Sequence, residues 1–539
     1  MAFFPSGPFS PLVLVVTAIL VSYHISSGYG TRYKASVFEF KPLTPPQGRN
    51  LSRAQALDLM KKNIEIYKMQ ARIAGEKRNE IIVFPEYGLF GIFGYAKYAR
   101  RSDVYPFLET IPDPRKIAWN PCKDKRQRNI PEIQLELSCM ANHFDIYVVA
   151  NIGEKVMCKK SDRNCPKDGR YQYNTNVVYS SNGTLIAKYR KKHLFKEPYY
   201  DSPIKTEVVI FNTHFGKFGL LTSHDSLFKS PILDLVYKHK VRDIVMPTAW
   251  MTTTPLFRAI QWHSSFARGL ELNLIVATVH DGYSRSYGSG IYGRDGAKGY
   301  FSEPDNYKGK LVSEDLRHIS FMDPRKQRPV IPRGGMSQTR LQTRPMDFLE
   351  KSVNFKFYEL TKSKDDINIC DGRFCCRLSY SVERGGRIEK YALAVYKGPV
   401  RALGYSLEVE ACAVVRCSPT CGKPIERANT YFENFRLIGV NFSTPFIFPQ
   451  VLTLSGSEAV LPTHQWDYEH GEIVFDKAPE NPLHSASLIG RVYDKDRIDH
   501  RRPSSQGTST HLHGNYAHAQ YTSCLILFVA FIASINISS

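Results

Sequence analysis

The sequence predicts an α/β domain joined to a smaller β-rich domain held by disulfides. Three observations point there. Short apolar runs alternate with amphipathic helical stretches from about Tyr33 to about Ser313. Beyond about Glu314 the helical periodicity fades, and six cysteines fall between Cys370 and Cys421. At 539 residues the chain also exceeds what one hydrophobic core ordinarily organises.

The elements follow in order. Asn50 to Ile73 reads as a helix, opened by a Ser52-x-x-Gln55 capping box and carrying Leu57, Met60, Ile64 and Tyr67 at helical spacing. Glu80 to Phe84 is a short apolar run, expected as a buried strand. Pro131 to Phe144 is a helix, Ile146 to Ile152 a strand, and Asn176 to Tyr189 a hairpin turning at Asn182-Gly183. Val208 to Phe211 and Gly219 to Thr222 are strands, Ser230 to Lys240 a helix and Ile244 to Pro247 a strand. Phe257 to Leu270 and Leu274 to Val279 complete the pattern as helix and strand. Continuous apolar strands between helices imply sheets covered on one or both faces. In the second part, Tyr391 to Tyr396 and Leu407 to Val415 read as strands.

Both ends carry addresses. Leu12 to Val21 is apolar, and small residues follow to Gly30; this reads as a signal peptide cut near Gly28 or Gly30, with an uncleaved anchor as the alternative. Cys524 to Ile537 is an apolar tail behind the polar, flexible stretch Arg501 to Ser523. That order matches a glycolipid-anchor signal, with Ser505, Ser509, Gly514 and Asn515 as candidate attachment residues. The expected location is the outer face of the plasma membrane, anchored through the glycolipid, with free secretion as the alternative. Sequons at Asn50, Asn182 and Asn441 are expected to carry glycans.

The eleven cysteines agree with secretion: without Cys524 of the tail, ten remain. Cys122 with Cys139 and Cys158 with Cys165 are candidate local pairs, while the connectivity stays open. The Cys375-Cys376 doublet and scattered spacing do not match a zinc site, so no metal is expected. The net charge is +21, with basic runs at Lys123 to Arg128 and Arg325 to Arg328. A secretory address and the lack of an aromatic-basic motif argue against nucleic acid. A basic surface drawn to acidic glycans or lipid headgroups is the simpler reading.

Three stretches carry chemistry. Phe84-Pro85-Glu86 places a carboxylate just past a buried strand, where an apolar cleft raises its pKa and suits it to general-base work. Lys191 lies in the basic run ending a hairpin strand, where an ammonium can stabilise an oxyanion. Ser223 follows the run Gly219 to Thr222, a position that presents a nucleophile to a cleft. Ser223-His224-Asp225 spells the members of a hydrolase triad, but consecutive side chains on an extended chain alternate sides, so a local triad is not expected.

Taken together these motifs resemble the vanin and biotinidase family of the nitrilase (carbon–nitrogen hydrolase) superfamily. The resemblance is strongest in FPEYGLFG (84–91), KYRKKHLF (188–195), FNTHFGKFGLLTSHDSLF (211–228), MPTAW (246–250) and GSGIYG (288–293), and weakens beyond about residue 320. It implies a nitrilase-type α-β-β-α sandwich over residues 31–315, after a signal peptide over 1–30. A smaller β-rich, disulfide-stapled domain follows over 316–499, then a stalk over 500–523 and a removed tail over 524–539. It further implies a small linear amide, such as pantetheine or a biotinyl amide, as substrate or ligand, and no cofactor. The family's glutamate falls on Glu86 as general base and its lysine on Lys191 as oxyanion stabiliser and proton donor. Its cysteine nucleophile, in a T-C-x-D context, falls on Thr222-Ser223-His224-Asp225, so this chain has an alcohol where the family has a thiol. Trp250, Met251, His263 and Tyr292 lie near family motifs and are candidate substrate-binding residues.

The alcohol decides how much activity to expect. A free thiol has a pKa near ~8.5, a serine hydroxyl is several units more basic, and each unit costs about 1.4 kcal/mol. The favoured expectation is therefore an amide-binding protein or very slow hydrolase. The alternatives are a working amidase or esterase using Ser223 with Glu86 and Lys191, and a structural or adhesive ectodomain.

Overall fold

The structure is a computed structural model describing residues 32–46, 50–92, 99–124, 130–159, 161–319, 341–349, 351–382, 389–402, 404–417 and 427–498. The candidate signal peptide, the attachment residues Ser505, Ser509, Gly514 and Asn515, the apolar tail, Cys421 and the run Arg325 to Arg328 lie outside the described residues. Among the described residues no helix is long and apolar enough to cross a membrane.

The first part is built from twelve strands: β1 (Arg32–Glu39), β2 (Ile81–Val83), β3 (Tyr147–Met157), β4 (Arg170–Tyr179), β5 (Leu185–Arg190), β6 (Ile210–Asn212), β7 (Lys217–Leu220), β8 (Asp243–Thr248), β9 (Asn273–Thr278), β10 (Ser289–Gly293), β11 (Gly296–Phe301) and β12 (Lys310–Arg317). They form two six-stranded sheets, ordered β12-β1-β2-β3-β4-β5 and β11-β10-β9-β8-β7-β6. Three helices cover them: α1 (Arg53–Glu76), α2 (Glu132–His143) and α3 (Ala259–Leu270).

Period-two alternation explains why the strands are apolar throughout. Ile81, Val83, Tyr147 and Val149 face inward and meet Phe218, Leu220, Val245 and Ile275 of the other sheet. Their neighbours Ile82, Val148 and Ala150 face outward, under Met60, Ile64 and Tyr67 of α1 and Leu137 of α2. On the second sheet, Ile244, Met246, Leu274 and Val276 face Ile260, Trp262 and Phe266 of α3. The result is the α-β-β-α sandwich expected. Helix α1 opens with the anticipated capping box: Ser52 Oγ accepts from the Gln55 N–H and Gln55 Oε1 from the Ser52 N–H. Its buried stripe runs through Ala56 rather than Leu57. The helix expected over Ser230 to Lys240 forms over 232–238, widening at Asp234–Lys238, where a bond from the His239 N–H to the Asp234 carbonyl closes it.

The second part is all β. An eight-stranded sheet, whose central members include Tyr391–Ala402, Tyr405–Arg416 and Leu483–Arg491, faces a five-stranded sheet that includes Phe374–Val382 and Phe432–Val440. Leu378, Leu393, Val414, Leu437 and Leu488 form the core between them. Disulfides join Cys370 to Cys375 and Cys376 to Cys412, and Cys417 is also disulfide-bonded. In the first part Cys122 pairs with Cys139 and Cys158 with Cys165, the two local pairs expected. Disulfides in this number indicate an extracellular protein.

Helix α3 is buried on nearly every side, because its outer face meets the eight-stranded sheet. Trp262 packs on Phe257 at 5.1 Å and on Phe448 of that sheet at 5.2 Å, and Gln261 donates to Ser485 Oγ at 3.1 Å. One hydrophobic cluster therefore spans both parts. Trp262→Ala is expected to cost about 3–5 kcal/mol, measured by chemical denaturation, with both parts losing stability together.

Candidate active site

Three chain turns converge at one end of the sandwich. The first follows β2. Glu86 is fully buried, and Tyr87 takes a left-handed conformation (φ 61°) to turn the chain. A Cβ at Gly88 would collide with the Tyr67 hydroxyl of α1, which explains a glycine there. The second turn follows β5, whose end presents Lys191. The third follows β7, where Ser223 sits at φ 47° and opens a short helical turn, Ser223–Leu227. A left-handed serine between a strand and a helical turn is strained by roughly 1–2 kcal/mol, a feature typical of nucleophile turns.

The basic run around Lys191 is not a solvated face. Lys188 and Arg190 both pair with buried Glu154, at 2.7 and 2.8 Å. Lys191 turns inward: its Nζ donates to Glu86 Oε1 at 2.8 Å and to Glu197 Oε2 at 2.7 Å, with only 2% of the side chain exposed. Burial opposes its charge, but the Glu197 and Glu86 carboxylates outweigh it and raise its pKa. The Glu86 carboxyl sits above the usual carboxylate range. Burial is the largest cause and repulsion by Glu197 adds to it, while Lys191 and the Asn174 amide oppose it. Among the described residues Glu86 Oε2 has no hydrogen-bond partner. The site thus holds a charged ammonium beside a carboxyl whose proton affinity burial raises.

A ladder of three buried asparagines holds these turns. Asn151 Nδ2 donates to Asn174 Oδ1 at 2.6 Å and to Asn176 Oδ1 at 2.8 Å, and Asn151 Oδ1 accepts from the Tyr87 N–H at 3.1 Å. Asn174 Nδ2 donates to Glu86 Oε1 at 2.7 Å and to Glu197 Oε1 at 2.8 Å. Asn176 Nδ2 donates to the Leu221 carbonyl and to Thr222 Oγ1, each at 2.8 Å.

Asp225 joins the second turn to the third. It accepts from the Tyr189 hydroxyl at 2.5 Å and the His193 N–H at 2.8 Å, and lies 2.6 Å from His193 Nδ1. It therefore serves Tyr189 and His193, and no local triad forms. The expectation that consecutive side chains cannot meet fails for the other two members. The left-handed turn brings Ser223 Oγ within 3.2 Å of His224 Nδ1. Thr248 Oγ1, at the end of β8, donates to Ser223 Oγ at 3.0 Å. From the second part of the chain, Arg491 donates to the Leu227 carbonyl at 3.1 Å, bracing the turn that carries Ser223.

These side chains line one cleft of about 390 Å³, bounded by Glu86, Tyr87, Ile92, Lys191, Phe195, Lys196, Glu197, Tyr199, Ser223, His224 and Ala249. Glu86, Lys191 and Ser223, singled out from the sequence, all reach it. The other four candidates do not line it. Trp250 lies behind the lining, stacked on His224 at 4.9 Å, with its indole N–H donating to the Phe257 carbonyl at 3.1 Å. Met251 pairs with Ser286 in an isolated bridge. His263 is fully buried and its pKa is pushed down to about 3 by that burial. Tyr292 lies in the cluster between the second sheet and α3. Asn50, Asn182 and Asn441 are exposed. Among the described residues no group of three or more His, Cys, Asp or Glu is arranged to hold a metal ion.

The sequence reading missed Glu197, Asn174 and Asn176. A signal existed for each. Glu197 is the first acid after the basic run Arg190 to His193, and the two asparagines share one face of β4 at a spacing of two.

Comparison with known proteins places the chain in a family. A carbon–nitrogen hydrolase family model matches residues 43–274, and a vanin C-terminal domain model matches residues 346–496. A pantetheine hydrolase of Homo sapiens is 34% identical, over 93% of this chain and 94% of that protein. A pantetheinase of Canis lupus familiaris is 35% identical over 90% and 93%, and a biotinidase of Bos taurus 36% identical over 86% and 93%. The chain belongs to the vanin/biotinidase family of the carbon–nitrogen hydrolase (nitrilase) superfamily. A solved amidase from Nesterenkonia sp. aligns at 14% identity with 53% of this chain and 91% of that one, at a TM-score of 0.36.

Replacing Lys191 with methionine leaves two buried carboxylates facing each other. Lys191→Met is expected to destabilise the fold by about 3–5 kcal/mol at neutral pH. The sign with pH follows from the carboxyls. Without the ammonium, which opposes the rise, the folded pKa of Glu86 climbs further above its unfolded value, so the folded state is favoured once that carboxyl is protonated. The melting-temperature deficit against wild type should shrink as pH falls from 7 towards 5.

Proposed function

We propose that this protein is a cell-surface member of the family that recognises small linear amides of the pantetheine or biotinyl type. In this reading Ser223 stands where the family uses a cysteine, and amide turnover is weak. The observation that carries it is the shared cleft: Glu86, Lys191 and Ser223 line one cavity, with the carboxyl and ammonium already in contact. Relatives named pantetheinase and biotinidase support the substrate class.

The weakness of turnover follows from proton affinity. Glu86, even with its raised pKa, is a poor base for an alcohol and an adequate one for a thiol. Ser223→Cys is therefore expected to raise hydrolysis of pantetheine-like or biotinyl amides by roughly two orders of magnitude or more. Amine release by wild type and variant side by side reads this out. A silent thiol variant would show that the cleft does not serve these amides.

Attachment to the outer membrane face through a glycolipid is part of the same reading. The terminal apolar tail, the disulfides and three exposed sequons support it. Phosphatidylinositol-specific phospholipase should release the protein from cells, and retention after treatment would refute the anchor.

A further inference from the structure

We propose that Ser223 and His224 form a hydroxyl–imidazole pair that transfers acyl groups from oxygen esters, so that this cleft is an esterase site rather than only a silent amidase site. The proposal rests on the reading above, in which Ser223 stands at the nucleophile position.

The geometry is specific. Ser223 Oγ lies 3.2 Å from His224 Nδ1, and both residues line the cleft. Thr248 Oγ1 donates to Ser223 Oγ at 3.0 Å, occupying one of its lone pairs and leaving the serine proton to point at the imidazole. The ring is held in place, stacked on Trp250 with planes 15° apart and packed against Phe195 at 4.7 Å. Burial, followed by the nearby Lys191, His263, His193 and Lys196, keeps this imidazole neutral well below its ordinary titration range. Glu86 and Glu197 also line the cleft, but each has an oxygen held by Lys191. Among the described residues the imidazole is the basic group in hydrogen-bond contact with Ser223 Oγ, and general-base catalysis requires that reach before it requires basicity.

The step balances without any further reactant than water. Oγ forms a bond to the ester carbonyl carbon as its proton passes to His224 Nδ1. The bond from carbon to the leaving oxygen then breaks, and Nδ1 returns the proton to the departing alcohol. Water attacks the acyl-serine and gives its proton to Nδ1. The bond between carbon and Oγ breaks, and Oγ takes that proton back. Lys191, charged throughout, is the fixed cation in the same cleft for the transient oxyanion. The depressed basicity of His224 limits the pair to good leaving groups, so esters are turned over and amides are not.

The test is acylation of the full-length protein by p-nitrophenyl butyrate, followed by p-nitrophenol release, intact mass and peptide mapping. The expected result is a butyryl adduct on Ser223, absent from Ser223→Ala. His224→Phe and His224→Gln should each slow acylation roughly 100-fold while their melting curves stay close to wild type. The wild-type rate should be nearly flat between about pH 8 and pH 6, since the base is already neutral there. An adduct on another residue, or neither an adduct nor p-nitrophenol release above that of Ser223→Ala, overturns the proposal and the placement of the nucleophile beneath it. An adduct on Ser223 whose rate ignores both folded His224 variants overturns the imidazole alone.

Discussion

Three buried amides hold the cleft together. Asn151, Asn174 and Asn176 sit on adjacent strands and bond to one another. They also reach the Tyr87 N–H, both carboxylates, and the Leu221 carbonyl and Thr222 hydroxyl just before the serine. Each amide is buried, so every donor and acceptor left unmade would cost about 1–3 kcal/mol. The cheapest arrangement is the one in which all the turns are in place at once. The first sheet thereby holds groups that come from both sheets.

The charges follow the same logic. An ammonium sealed from water between Glu86 and Glu197 is tolerable only because each carboxylate is also held by amide or backbone donors. That arrangement makes Lys191 a reliable cation and a poor proton donor. Burial, with repulsion from Glu197, raises the proton affinity of Glu86 against the pull of Lys191 and Asn174, which suits a thiol partner better than an alcohol. The serine lies within reach of a different base, supplied by its own neighbour through a left-handed turn. Asp225, the next residue along, faces away to hold Tyr189 and His193.

Much of the architecture was legible because burial writes itself into periodicity. Doubly buried strands read as unbroken apolar runs, and α1 announced its start through Ser52 and Gln55. Elements governed by side-chain packing at a distance were less clear. The stretch after Ser230 is helical as its composition suggests, yet widens at Asp234–Lys238, which no local pattern signals. Trp250, His263 and Tyr292 sit near motifs, but proximity in sequence does not show which face of an element a side chain occupies. The structure places Trp250 behind His224, and the other two in or beside the packing around α3.

Sequence alone determined the class of fold, the division into an α/β part and a disulfide-stapled β part, and three chemical groups at strand ends. Each depends on local pattern: alternation, spacing, composition and the identity of a residue after an apolar run. Only the tertiary structure decided which groups meet. Asn174 and Glu86 are 88 residues apart, and Lys191 and Glu86 are 105 apart. Their contact depends on strand order and register, which no local pattern encodes. The Ser223–His224 contact is the opposite case. Its members are neighbours in sequence, yet it exists only because packing at the end of β7 forces a left-handed turn that a serine rarely adopts unaided.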